Sequence, residues 1–230
     1  SESTMFFRQL LHDDLGCASY LLGSKGRAAV VDPKWEIDEY LTLASDQGLR
    51  IEHVLETHNH ADHLSGRGRL VAATGATAYI SADAGVEYEH VPLRDGDELA
   101  VGDVRIRALA TPGHRPEHMA FLVSEGERAD QPWLLLSGDS LFVGDCARPD
   151  LAVEAEEGAR GLFATFARLR ELDGFVEVWP GHIGGSLCGG PGMELKVSST
   201  IGFERAHNPA LAIADEDRFV AAATAHLPPQ

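Results

Sequence analysis

The stretch Glu56-Thr57-His58-Asn59-His60-Ala61-Asp62-His63-Leu64-Ser65-Gly66 decides how the rest of the chain is read. Three histidines and an aspartate lie between positions 58 and 63. Imidazoles packed side by side repel when charged, so the cluster needs something to hold it. A divalent metal does this, because neutral imidazole nitrogens and carboxylate oxygens are among its preferred ligands. The apolar Val54-Leu55 before it reads as the end of a strand. His58 and His60 alternate as on a strand end or tight loop, while Asp62 and His63 can turn to a second side. The pattern therefore serves one metal or two neighbouring metals. A solvated polar loop would account for one such histidine but not for the set.

Around this cluster the chain has 230 residues, enough to bury a core. Its formal net charge of −17 argues against a nucleic-acid partner, which needs basic surface, and against adsorption to anionic membranes. Cys17, Cys146 and Cys188 are widely spaced and odd in number. They form no disulfide framework or zinc knuckle, which suits a reducing, cytoplasmic setting. The polar Ser1-Glu2-Ser3-Thr4 does not read as a signal peptide, an export sequence removed ahead of it staying open, and no apolar run is long enough to span a membrane. The ending Leu227-Pro228-Pro229-Gln230 cannot continue a helix and reads as a domain boundary, so residues 1–230 are expected to form one domain.

The patterning predicts many short strands with helices between and after them. Strands are expected at Met5–Leu11, Cys17–Leu22, Ala28–Val31, Ile51–Leu55, Ala76–Ile80, Val104–Leu109, Met119–Val123, Trp133–Leu136 and Val176–Trp179. Helices are expected at Ile37–Gln47, closed by Gly48, at Gly68–Ala73, at Ala159–Leu172, at Ser198–His207 and at Glu216–Ala225. Asp95-Gly96-Asp97 reads as a hairpin turn, and Trp133 and Trp179 as core residues. This is the pattern of sheets covered by helices, an α/β layered architecture.

Four of these strands end alike. Ile51–Leu55 runs into Thr57-His58, Val104–Leu109 into Thr111-Pro112-Gly113-His114, Trp133–Leu136 into Ser137-Gly138-Asp139, and Val176–Trp179 into Pro180-Gly181-His182. Strand ends are rigid, and loops beyond them can converge on one point. One such ending means little, but four in one chain point to a shared site.

In order, His58, His60, Asp62, His63, His114, Asp139 and His182 resemble the metal-binding pattern of the metallo-β-lactamase superfamily, over nearly the whole chain. The resemblance implies an αββα sandwich, two mixed sheets flanked by helices, with the metal site along one edge. That scaffold hosts hydrolases, nucleases and oxidoreductases, so it does not fix the reaction. Within the superfamily the chain is similar to the persulfide dioxygenases of bacterial type, relatives of glyoxalase II. The similarity is carried by Phe7-Arg8-Gln9-Leu10, Val31-Asp32-Pro33, the Glu56–Gly66 string, Thr111–His114, Gly138-Asp139-Ser140-Leu141-Phe142-Val143-Gly144, Arg148-Pro149-Asp150 and Ser199–Arg205. The chain departs at Cys146-Ala147-Arg148, where a glycine usually precedes the arginine, and at Arg115-Pro116-Glu117-His118, a variable loop.

That resemblance implies one Fe(II) held by His58, His114 and Asp139, the residues on which catalysis rests. Two histidines and one carboxylate leave positions open for O2 and a substrate sulfur. His60, Asp62, His63 and His182 then orient ligands by hydrogen bonds. In a dinuclear hydrolase the same four become direct ligands of two zinc ions, and all are present, so this alternative stays open. The implied reaction oxidises a low-molecular-weight persulfide such as glutathione persulfide with O2 to sulfite and free thiol, as in hydrogen sulfide detoxification. Arg148 is a candidate for holding a substrate carboxylate, or is paired structurally with Asp150. Tyr20 and Arg8 are weaker candidates. Cys188, on the glycine-rich loop after His182, is read either as a sulfur acceptor or as a buried thiol. Too little chain follows His182 for the glutathione-binding helical region of glyoxalase II. The resemblance also implies a rhodanese (sulfurtransferase) partner, fused beyond residue 230 or separate. A homodimer is neither indicated nor opposed.

Overall fold

The computed structural model describes residues 5–12, 16–60, 64–184, 189, 192–193, 195–225 and 227. The chain opens with β1 (Phe6–His12), β2 (Cys17–Ser24) and β3 (Arg27–Val31), followed by α1 (Asp38–Asp46), β4 (Arg50–Leu55), α2 (Arg67–Thr74), β5 (Thr77–Ser81) and β6 (Val91–Leu93). These six strands form one sheet in sequence order, antiparallel for the first three and parallel from β3 onward. Next come β7 (Glu98–Val101), β8 (Val104–Ala110), β9 (Met119–Glu125), β10 (Leu134–Gly138), α3 (Ala155–Leu169), β11 (Glu177–Pro180) and β12 (Ser199–Thr200). They give a second six-stranded sheet, order β12-β11-β10-β9-β8-β7, parallel only between β10 and β11. The chain closes with α4 (Ile201–His207), α5 (Pro209–Ala212) and α6 (Glu216–Thr224).

Burial explains the layering. β2 is buried along its whole length because both its faces are covered. Ala18, Tyr20 and Leu22 point between the sheets, where they meet Ile106, Phe121, Val123 and Leu136 of the second sheet. Leu21 points the other way, to Tyr40 and Ala44 of α1 and Leu70 of α2. The outer face of the second sheet packs against Leu162, Phe166 and Leu169 of α3, Ile201 of α4 and Phe219 of α6. The result is the expected αββα sandwich of two mixed sheets. Gly48 closes α1 with φ +63°, a conformation open to glycine, as expected.

Three expectations need correction. Asp95-Gly96-Asp97 joins no hairpin: β6 before it lies in the first sheet and β7 after it in the second, so the turn is the crossover between layers. The true hairpin turn is Gly102-Asp103, with φ +60° at Gly102. Trp133 is not core. It sits just before β10 at 36% exposure, with the Arg128 guanidinium 5.0 Å from its ring centroid. The helix expected from Ser198 starts at Ile201, because Thr200 is extended and its hydroxyl accepts the Phe203 N–H as an N-cap. Among the described residues no helix is long and apolar enough to cross a membrane.

Candidate metal centre

Strands β8, β10 and β11 run in one direction in the second sheet, so His114, Asp139 and His182 follow strand ends on the same edge. His58 reaches that edge from β4 in the first sheet. Backbone bonds join the layers there, Met119 N–H to Thr57 O at 2.8 Å and Ala18 N–H to Gly181 O at 2.7 Å, while Gly181 N–H to Gly138 O at 2.8 Å ties the ends of β11 and β10 within the second sheet.

His58, His114 and Asp139 are all buried, and each offers a ligand atom within 4.8 Å of the others. Asp139 Oδ2 lies 3.5 Å from His58 Nε2 and 3.4 Å from His114 Nε2, yet it is a buried oxygen without a hydrogen-bond partner. Such an atom is rare unless a cation serves it. The tautomers agree. Thr57 Oγ1–H donates to Asp32 Oδ2 at 2.7 Å, so the same hydroxyl must accept from His58 Nδ1–H at 2.8 Å. His114 Nδ1–H donates to the carbonyl of Arg148 at 3.2 Å. Both Nε2 lone pairs therefore face the orphaned carboxylate oxygen, as metal ligands do. The donor set fits a divalent metal.

Electrostatics point the same way. Burial, and then the neighbouring His60, hold His58 well below the usual imidazole range, so it is neutral and ready to ligate. Burial alone would raise Asp139, but the charge and hydrogen bond of His182, with His114 and His118, hold it below the usual carboxylate range.

The other expected residues sort as follows. His182 donates through Nδ1–H to Asp139 Oδ1 at 2.6 Å, and its Nε2 lies 3.2 Å from Cys17 Sγ. His60 Nε2–H donates to Asp32 Oδ1 at 3.1 Å. Asp62, His63 and Cys188 lie outside the described residues. The Arg148 guanidinium makes a two-pronged pair with Asp150, at 3.1 and 2.9 Å. Tyr20 is 2% exposed, between the sheets, with its hydroxyl donated to Pro180 O and bonded by Gln9 Nε2. It buttresses the strand that delivers His182. Arg8 is an exposed residue of β1, its guanidinium 5.4 Å from the Phe6 ring centroid. Cys146 packs against the helix-side core, and burial pushes its thiol pKa up.

Two contributors lay in the family-similar strings but were assigned no role from the sequence. Asp32 takes three hydrogen bonds, from Thr57 N–H at 2.8 Å, Thr57 Oγ1 and His60, at a backbone φ of +54°. Thr57 passes that order to His58. Thr57→Val is therefore expected to lower metal affinity by about 10–100-fold, the usual effect of removing a ligand's hydrogen-bond partner. Competition with a chromophoric chelator measures it. A second prediction concerns His60. Burial would lower its pKa, but the Asp32 charge raises it to about 9. The pair thus stabilises the metal-free protein fully below the unfolded imidazole's pKa, about 6.5. The contribution is lost as pH rises through about 9. Thermal melts of metal-free protein between those pH values should fall, and fall less in His60→Gln.

Residues 12–182 match the family described as the Metallo-beta-lactamase superfamily. The chain belongs to that superfamily. A hydroxyacylglutathione hydrolase of Anaeromyxobacter dehalogenans is 35% identical over 165 residues, which cover 71% of this chain and 60% of the hydrolase. The chain thus spans about three fifths of that relative. A metallo-beta-lactamase from Staphylococcus aureus superimposes with a TM-score of 0.93 at 33% identity, covering 98% of this chain and 69% of that one. ETHE1 from Myxococcus xanthus gives a TM-score of 0.83 at 30% identity, covering 97% and 92%.

Proposed function

We propose that the protein is a persulfide dioxygenase that uses one Fe(II) on His58, His114 and Asp139. One observation carries this reading: the two described histidines that a second metal would need are turned onto protein partners. His60 is bonded to Asp32, and His182 to Asp139 Oδ1. The motif strings from Phe7 to Asp150 and the likeness to ETHE1 support it.

The balanced reaction is RSSH + O2 + H2O → RSH + H2SO3. The terminal sulfur is oxidised to sulfite and dioxygen takes up the four electrons. Iron(II) in this site supplies a redox-active centre with open coordination positions. The chain's share is positioning and charge. Asp139 supplies the negative charge that retains the metal, and His182 holds Asp139 Oδ1 so that Oδ2 faces inward. Burial of the three ligands keeps water from competing at the reacting sulfur. Glutathione persulfide is the proposed substrate.

A second reading is a thiolester hydrolase with two metals, favoured by the name of the Anaeromyxobacter relative. Oxygen uptake and sulfite release with glutathione persulfide, run beside hydrolysis of S-lactoylglutathione, separate the two. Persulfide-dependent uptake with about one iron per chain is the expected result. Thiolester hydrolysis with two metals per chain and no oxygen uptake would overturn it.

A further inference from the structure

We infer that His118 is a positioning residue that sets the spacing of all three metal ligands. The inference rests on the metal triad and not on the reaction proposed for it.

His118 is 1% exposed, immediately before β9, and its ring touches each of the ligand-bearing loops. Its Nε2 accepts the backbone N–H of Asp139 at 2.9 Å. A backbone N–H can only donate, so in the neutral ring the proton sits on Nδ1. That Nδ1–H donates to Thr111 Oγ1 at 2.7 Å, at the root of the loop that carries His114. The same loop is closed by the Thr111 N–H to His118 O bond at 3.0 Å. The ring centroid lies 5.1 Å from that of His58.

The corner beside Asp139 is shaped for this ring. Gly138 has φ +55°, and a Cβ there would come within 2.6 Å of His118 Nε2. Asp139 is thus fixed twice: His182 bonds its Oδ1 and His118 bonds its amide. Removing the imidazole acceptor leaves a buried N–H unpaired and frees the corner to shift. The ligands then lose their common focus while remaining in the chain.

Cobalt(II) titration of the metal-free protein tests this, because cobalt's visible absorption reports ligand geometry without any turnover. His118→Phe keeps a ring but no acceptor, and His118→Gln keeps an acceptor near the place of Nε2. The phenylalanine variant should melt as a folded protein, bind cobalt about 10–100-fold more weakly, and show an altered spectrum. The glutamine variant should recover most of the affinity. A folded phenylalanine variant with unchanged affinity and spectrum would overturn the inference, as would glutamine and phenylalanine losing affinity equally. Should the phenylalanine variant not fold, Thr111→Val decides. It frees Nδ1–H from its anchor, so weakened cobalt binding supports the role and unchanged binding refutes it. An unaltered protein that took up no cobalt would instead sink the triad as a metal site.

Discussion

Asp139→Asn is expected to leave the protein folded and unable to hold its metal. Asp139 is 1% exposed, and its Oδ2 faces two imidazole lone pairs with no hydrogen of its own to offer. In metal-free protein Oδ1 is paired with His182, but Oδ2 meets two further acceptors with no donor among the described residues. An asparagine of the same shape places an N–H there that can donate to His58 Nε2 or His114 Nε2, while its carbonyl still accepts from His182. The metal-free variant should still melt as a folded protein, somewhat below the unaltered one, because the pairing with His182 that favours the ionised carboxylate is weakened. Metal affinity should fall by more than the roughly 10–100-fold that loss of an outer partner costs, since the charged ligand itself is gone. Two measurements check this. Elemental analysis should find the unaltered protein loaded and the variant empty. Added metal should raise the melting temperature of the first only, because a ligand at about 1,000 times its Kd stabilises by about 4 kcal/mol. A variant that keeps near-stoichiometric metal would remove Asp139 from the ligand set.

The convergence of metal-ligating residue types on one edge was legible in the sequence, and the choice of His58, His114 and Asp139 among seven candidates came from the family resemblance. Only a few side chains can replace His58, His114 or Asp139, and the strand before each is apolar enough to place it. His182 was expected to orient a ligand and bonds Asp139, but the groups that orient His58 were not legible. Asp32 and Thr57 are ordinary residue types on turns and strand ends, and nothing local says that a carboxylate at position 32 bonds the amide at position 57. His118 entered the sequence reading only as the last residue of the variable loop Arg115–His118, yet its imidazole ties two ligand loops together. Layer assignment failed at Asp95-Gly96-Asp97 for a related reason: the turn chemistry is the same for a hairpin and for a crossover, and only the long-range pairing of β6 with β5 and β7 with β8 distinguishes them. Trp133 misled because hydrophobicity was taken for burial, whereas its ring is covered on one side by Arg128.

The second large effect is expected at a residue that offers no ligand atom itself, in Gly158→Ala. By helix propensity alone the change should stabilise α3, since alanine is better than glycine by about 1 kcal/mol in a helix interior. Packing opposes this. A Cβ at position 158 would lie 2.0 Å from the carbonyl oxygen of Pro149 and 2.9 Å from that of Gly113. Both are backbone atoms and cannot rotate away. One turn on, a Cβ at Gly161 would lie 3.1 Å from Gly113 Cα, and Thr165 Oγ1–H donates to Pro112 O at 2.7 Å. One face of α3 is thus the seat for two loops: the one that carries His114, and the one whose Arg148 carbonyl orients it. Pushing them apart should cost about 1–3 kcal/mol of stability, outweighing the propensity gain. Because the displaced backbone holds a ligand, metal affinity should fall as well, which a purely peripheral clash would not cause. Gly68→Ala in α2 provides the contrast, with nothing within 4 Å of its added carbon. It should melt slightly higher than the unaltered protein and bind metal as well. If Gly158→Ala behaved like Gly68→Ala in both respects, α3 would be a cover for the second sheet and no support for the metal loops.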